Sequence, residues 1–367
     1  MKERQQKLIN WMVDNEIDIC FIQSKDNIFY LSNMYSEPHE RLNGLFFFKS
    51  SDPFLICPQM EVDQVKEAGW ESDIVGYGDH ENPWNLIKAE FERRNLTSIN
   101  KLAIEKEVTN YYRVEQLQNI IKDQVEIIAV DSAMNEHRVV KDEREINILK
   151  QAAELADYGV EVGVSALKEG ITELEVLAKI EYELKKKGIR EMSFSTMVLF
   201  GKNSGLAHGN PGLNKLQKGD FVLFDLGVVL DGYCSDITRT VMYQSYNEKQ
   251  KDIYDTVLKA QLSALNESKI GTRIGDLDKL ARGIITEAGY GDYFPHRLGH
   301  GLGISVHEYP SMNMTNNELI KEGMVYTIEP GIYIPEIGGV RIEDDVLITK
   351  DGHQTLTSYP KEFTVIK

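Results

Sequence analysis

Residues 221–243 constrain this chain more than any other stretch. Two β-prone runs, Phe221-Val222-Leu223-Phe224-Asp225-Leu226-Gly227-Val228-Val229-Leu230 and 233–243, are joined by Asp231-Gly232. An Asp-Gly pair supplies the positive φ that both central positions of a type I′ hairpin turn need. Such a turn sets the register, so Leu230 faces Tyr233, Gly227 faces Asp236 and Asp225 faces Thr238. Side chains alternate along a strand, which puts Asp225 and Asp236 on one face as diagonal neighbours, roughly 7–8 Å apart or less. Two carboxylates that close repel unless one is protonated or a cation lies between them. A lone Asp in a strand is ordinarily a solvated or salt-bridged group. Asp225 instead sits in an apolar run, which implies burial, and buried acids need partners or metal.

A second hairpin is expected from 324–334 and 340–348 around 335–339. If its loop centres on Glu336, Glu329 stands opposite Glu343. Alternation then places Arg341 on the Glu343 face, to support Glu343 and the hydrogen bonds around it, or to form a simple salt bridge with Asp344 or Asp345. His300 lies in Gly299-His300-Gly301-Leu302-Gly303, where flanking glycines let backbone approach a crowded site. His208, His296, His300 and His307 are half of the chain's eight histidines. Four carboxylates with an imidazole suit Mn, Co, Fe or Zn, and are too acidic for a structural zinc site. Around one ion they would over-neutralise it. Around two the charge balances, which is the composition of a two-metal hydrolytic site.

The 367 residues are enough for two domains. Strands at 17–22, 44–48, 54–56, 101–104 and 127–130 alternate with helical patterns at 60–68 and 84–94, which predicts an α/β domain over 1–131. Asp142 with Glu145, and Thr172 with Glu175, read as capping pairs that open two helices, the second ending before Gly188. Helices are also expected at 251–269 and 274–288, within a second domain over 132–367. The net charge of −17 argues against nucleic-acid and anionic-membrane partners. Cys20, Cys57 and Cys234, with no CxxC, fit reduced thiols in a cytosol. The charged N-terminus has no signal-like apolar core, and no window approaches the roughly 18 apolar residues of a membrane span. A soluble cytoplasmic protein is expected.

Phe224-Asp225-Leu226-Gly227, Ser235-Asp236-Ile237-Thr238-Arg239-Thr240, 299–308, Ile328-Glu329-Pro330-Gly331-Ile332-Tyr333 and Gly339-Val340-Arg341-Ile342-Glu343-Asp344 occur in that order. Together they resemble the prolidase, aminopeptidase P and methionine aminopeptidase superfamily of proline-specific and related metallopeptidases, and most closely bacterial Xaa-Pro dipeptidases. The resemblance is strong over 135–367. It implies an α+β fold: a pita-bread catalytic domain preceded by a smaller α/β creatinase-like domain. The additional domain excludes a minimal methionine aminopeptidase, and the full ligand set counts against creatinase.

The resemblance further implies two divalent ions per subunit, Mn2+ first, with Co2+, Fe2+ or Zn2+ possible. Asp225 and Glu343 would bridge them, Asp236 would complete one site, and His300 with Glu329 the other. A hydroxide between the ions would attack the scissile carbonyl, with Glu329 passing the proton to the leaving proline nitrogen. His208 and His307 would hold the carbonyl and the developing oxyanion. His296 matches the proline-specific branch, and Arg341 joins the catalytic set. Arg297 is the candidate reader of a dipeptide carboxylate. Ser311 stands where many archaeal prolidases carry arginine. The loop Tyr35-Ser36-Glu37-Pro38-His39-Glu40-Arg41 is either solvated or reaches the partner's site in a homodimer, with His39 toward substrate. The expected reaction is hydrolysis of Xaa-Pro dipeptides. The alternatives are an aminopeptidase P acting on longer Xaa-Pro peptides and a non-catalytic binding protein on the same fold.

Overall fold

The structure, a computed structural model, describes residues 1–96, 99–121 and 124–367. The chain divides into two units, Met1–Arg138 and Val139–Lys367. Helix Asp131–Val139 therefore lies almost wholly in the first unit.

In the first unit, Gly44–Phe48 and Phe54–Pro58 are buried at every position, because a strand covered on both faces reads as a continuous apolar run. They join a six-stranded mixed sheet in the order Asp73–Tyr77, Phe54–Pro58, Gly44–Phe48, Ile19–Ile22, Lys101–Ile104, Glu126–Ala129. Trp84, Ile87 and Phe91 of helix Pro83–Arg93, with Leu117 and Ile121 of helix Tyr111–Ile121, complete its core. Helices Lys2–Asp14 and Lys25–Ser32 and strand Asp73–Tyr77 were not expected from sequence. The first is strongly polar, burying only Arg4, Leu8 and Met12, and the strand is largely half-exposed.

In the second unit both expected capping boxes form. Asp142 accepts from Glu145 N at 2.9 Å while Glu145 accepts from Asp142 N at 2.9 Å. Thr172 and Glu175 repeat the exchange. Each cap contributes about 1 kcal/mol. The helices they open, Glu143–Ala166 and Glu173–Lys186, pack Ala156, Val160, Val176 and Ile180 against Val222, Phe224 and Leu226. Helices Glu248–Asn266 and Ile274–Glu287 cover Tyr326, Ile328, Ile332 and Ile342 in the same manner. Each hairpin is thus backed by a helix pair. Among the described residues no helix is long and apolar enough to cross a membrane.

The first hairpin has the register its turn demands, and the second has the one that follows if its loop centres on Glu336. Asp225 pairs with Thr238 and Leu230 with Tyr233, around Asp231 (φ +47°) and Gly232 (φ +83°). Ile328 pairs with Asp344 and Gly331 with Arg341. Neither hairpin stays in one sheet, however. The first passes from the sheet of Phe221–Leu226 and Ile237–Tyr243 into a small sheet with Glu191–Met192. The second divides into Val325–Ile328 with Asp344–Thr349 and Gly331–Ile334 with Gly338–Arg341. Gly227, Asp236, Glu329 and Glu343 fall in the gaps.

Candidate metal centre

The first gap is made by close approach. A Cβ on Gly227 would lie 1.8 Å from the Ser235 carbonyl oxygen, so only glycine fits opposite the turn that presents Asp236. Asp236 is then held through its backbone, which donates to Asp345 Oδ2 at 3.1 Å. In the second gap Glu343 N donates to Thr238 O at 3.1 Å and Thr238 Oγ1 donates to Glu343 Oε2 at 2.6 Å, joining the two hairpins. Arg239 reinforces the joint. It donates to the backbone carbonyls of Thr238 and Glu343 and pairs with Asp344 at 2.7 Å. His300 sits on the three-residue strand Gly299–Gly301, where a Cβ on either glycine would meet a backbone oxygen at 2.0 or 2.2 Å. Its Nδ1 lies 3.1 Å from Gly301 O, which can only accept, so Nδ1 carries the hydrogen. Nε2 is left facing Glu329 Oε1 at 3.3 Å and Asp236 Oδ2 at 3.7 Å. A metal-ligating histidine is commonly fixed in this way.

These groups cannot all be charged without a cation. Burial raises Asp225, with the Arg341 guanidinium opposing the rise. Burial and then the neighbouring carboxylates push Asp236 and Glu343 well above the usual range. Glu329 differs. Against the penalty of burial, His300, which without a cation would donate Nε2–H to it when protonated, holds it down at about 2, helped by His296 and Arg341. Asp225 Oδ1, Asp236 Oδ1 and Glu343 Oε1 are buried with no hydrogen-bond partner. Ligand atoms of Asp236, His300 and Glu343 lie within 4.8 Å of one another. Orphaned carboxylate oxygens beside a correctly presented imidazole nitrogen are what a divalent cation requires, so the residues fit the expected ions.

A cavity of about 320 Å³ opens above the cluster. Asp225, Asp236, His300, Glu329 and Glu343 line it, as do His208, His296, Arg297, His307 and Arg341, with Phe194, Met197, Ala207 and Val306 supplying apolar wall. His39 does not line it. It is exposed in the first unit, with φ +56°. Arg341 does not pair with Asp344 or Asp345, one of the two roles open to it from sequence. Asp344 is taken by Arg239 and Lys361, and Arg341 turns to Asp225. It also donates to Thr238 Oγ1 at 3.1 Å and to Tyr333 Oη at 2.6 Å. Tyr333 Oη lies 2.9 Å from His296 Nε2, and so connects that histidine to the carboxylate cluster. The His307 and His300 rings meet edge-on at 4.1 Å. Burial, then the positive fields of His300 and Arg297, bring His307 down to about 4, so it is neutral near pH 7. Burial also lowers His296.

Comparison with known proteins decides the family. Residues 147–350 match metallopeptidase family M24, and residues 4–140 match the Creatinase/Prolidase N-terminal domain. The chain belongs to metallopeptidase family M24. A Bacillus subtilis (strain 168) protein provisionally named dipeptidase YkvY is 60% identical over 99% of both chains. The prolidase of Pyrococcus horikoshii OT3 superposes with a TM-score of 0.88 at 38% identity, covering 98% of this chain and 99% of that one. An Xaa-Pro dipeptidase of Bacillus anthracis gives 0.91 at 33% identity over 99% of both. The architecture is accordingly the prolidase-like pita-bread fold behind a creatinase-type first domain, α+β in class.

Within this M24 site, Tyr333 and Thr238 carry contacts that the sequence does not announce, and Asp345 receives Asp236 N instead of Arg341. Tyr333 lies inside the Glu329-Pro330-Gly331-Ile332-Tyr333 motif, and Thr238 faces Asp225. Parity gives a face, but it does not show which hydroxyl completes which network.

Metal removal gives a signed prediction. In the metal-free enzyme Asp236 and Glu343 have raised folded-state pKa values. They therefore favour the fold below the ordinary carboxylate range, and that contribution is lost as pH rises through the raised values. Cation binding keeps them ionised and releases protons. The Tm gap between enzyme in saturating Mn2+ and in chelator should widen from about pH 5 to about pH 8. Occupancy at 100 times Kd adds about 2.7 kcal/mol per site. Calorimetry that found a gap independent of pH would contradict the cluster's electrostatics.

Proposed function

We propose that the protein is an Xaa-Pro dipeptidase that uses two divalent ions, Mn2+ first, held by Asp225, Asp236, His300, Glu329 and Glu343. The supporting observation is a small cavity with the carboxylate cluster and Arg297 in the same wall. Arg297 Nη1 donates to Ser311 Oγ at 3.1 Å, so the position that carries arginine in many archaeal prolidases here supports a neighbouring arginine. Arginine presents a planar fork of donors that matches a carboxylate. The ions, when bound, would lower the pKa of water enough to supply hydroxide near neutral pH and would polarise the scissile carbonyl.

The chain's own groups supply the rest. Glu329, in the cavity wall, accepts a proton and returns it to the proline nitrogen as the bond breaks. His307 and His208 hydrogen-bond the substrate carbonyl oxygen and the charge that develops on it. His296, fixed by Tyr333 Oη and by Arg297 O at 2.8 Å, forms the wall beside the proline ring. Arg341 fixes Asp225 and Tyr333 from behind. A homodimer in which His39 of the partner subunit approaches substrate belongs to the same reading, as does a cytoplasmic location, in keeping with three buried cysteines that form no disulfide among the described residues.

The test compares Xaa-Pro, Xaa-Pro-amide and Xaa-Pro-Yaa on metal-reconstituted enzyme. Xaa-Pro should be cleaved fastest. Arg297→Met should raise KM for Xaa-Pro by about 10–100-fold, the value of a charge-assisted pair, with little change for the amide. Faster cleavage of the tripeptide would make the protein an aminopeptidase P instead.

A further inference from the structure

Glu173 is a buried carboxylate to which the reaction above gives no task. It opens helix Glu173–Lys186 and is 0% exposed. Its Oε1 accepts from Phe200 N at 2.8 Å and from Asn203 Nδ2 at 2.9 Å. Its Oε2 accepts from Gly212 N at 2.7 Å, Asn203 Nδ2 at 3.0 Å and Asn214 Nδ2 at 3.2 Å. Two ends of one chain segment therefore converge on a single side chain. The helix start adds two backbone bonds to the same segment, Glu173 N to Asn214 O and Leu174 N to Gly212 O, both at 3.2 Å. Across the closed loop Asn203 Nδ2 also reaches Asn210 O at 3.2 Å.

The loop thus tied carries Ala207 and His208 to the cavity wall. His208 is exposed, and its ring has no hydrogen-bond partner among the described residues. The path of the loop backbone, which Arg341 Nη1 also holds at Ala207 O at 3.4 Å, therefore sets where that imidazole is rooted. A buried carboxylate with no salt-bridge partner among the described residues is costly, and neutral or apolar residues would fill the space more cheaply. Only an ionised carboxylate, acceptor on both oxygens, can receive all four donor groups at once.

We propose that Glu173 is a positioning residue for peptide hydrolysis: by closing the 200–214 loop it holds His208 at the cavity. This rests on the reading of His208 as a substrate-side group. Glu173→Gln keeps the shape but turns an amide N–H toward the donors. It should lower kcat by about 10–100-fold, in the range of a small misplacement at an active site, with bound metal unchanged.

The deciding measurement is a double-mutant cycle with His208→Ala, read as kcat/KM on an Xaa-Pro dipeptide with metal content determined for each variant. If Glu173 acts through His208, adding Glu173→Gln to His208→Ala costs less than about 2-fold. If Glu173→Gln costs the same factor in both backgrounds, its role is general support of the fold and the proposal is overturned. A His208→Ala enzyme as active as the parent would instead sink the reading of His208, and this inference with it, an outcome distinct from the multiplicative one. Asn203→Ala removes two of the carboxylate's contacts and leaves its buried charge solvated by the rest. It should show the same masking with a smaller loss, and it decides between the two roles if Glu173→Gln does not fold.

Discussion

Asp236→Asn should abolish turnover while leaving the fold cooperative and, without metal, at least as stable as the parent. Activity and stability move in opposite directions because Asp236 is placed for a cation. Its carboxylate is buried, one oxygen has no partner, and Glu343 and Asp225 press on it with like charge. Asparagine removes one charge from that crowd and keeps the volume. The backbone N–H of residue 236 still donates to Asp345. Perturbing only the supporting partner of a metal ligand typically costs 10–100-fold. Loss of the ligand itself should therefore exceed about 10²-fold in kcat/KM. Denaturant unfolding in chelator, beside Mn2+ titration by calorimetry, checks both halves. A variant that kept activity would remove Asp236 from the ligand set, and one that unfolded without cooperativity would make it structural.

The second large effect is expected at Arg341. This guanidinium is buried among Asp225, Thr238 and Tyr333, and its charge is secured by Tyr333 and Asp225 against the penalty of burial. Removing one member of a buried pair costs about 3–5 kcal/mol, because the other charge is left uncompensated. In metal-loaded enzyme Asp225 would still face a cation. Arg341→Met should therefore destabilise the metal-free protein by several kcal/mol and the loaded protein by clearly less. Its apparent dependence of stability on Mn2+ would rise. Activity should still fall by about 10²-fold, since Tyr333 and, through it, His296 lose their support. Equal destabilisation with and without metal would show that Arg341 braces the fold and not the cluster.

The register of the first hairpin is legible in the sequence because local chemistry determines it. Asp231 and Gly232 demand positive φ, a two-residue turn follows, and parity then assigns Asp225, Asp236 and Thr238 without tertiary information. No turn pair fixes the second hairpin, where Glu329 stands opposite Glu343 only if the loop centres on Glu336, the register that the ladders adopt. Parity could not show that each ladder changes sheets at these residues. That depends on the Gly227 backbone meeting Ser235, and on Glu329 N reaching Leu298 O. His300 is recognisable only by resemblance, since its short strand is defined by partners far along the chain. Arg341 illustrates the same limit. From sequence its candidate partners are Glu343, Asp344 and Asp345, yet the acid it pairs with is 116 positions away. The polar helix Lys2–Asp14 is not legible in the sequence because it buries little, so its apolar period is weak.

The turn at Asp231-Gly232 lies several residues from any ligand, but it meters the chain between Asp225 and Asp236. Substituting its residues would change how easily the bend forms. Inserting a single residue would carry one carboxylate to the opposite side of the sheet and dismantle the cluster without altering any of its members. Bends of this kind should therefore vary in composition but not in length among descendants of this chain. A designer wishing to graft a tag or a sensor onto the enzyme would do better to choose an exposed loop outside either hairpin.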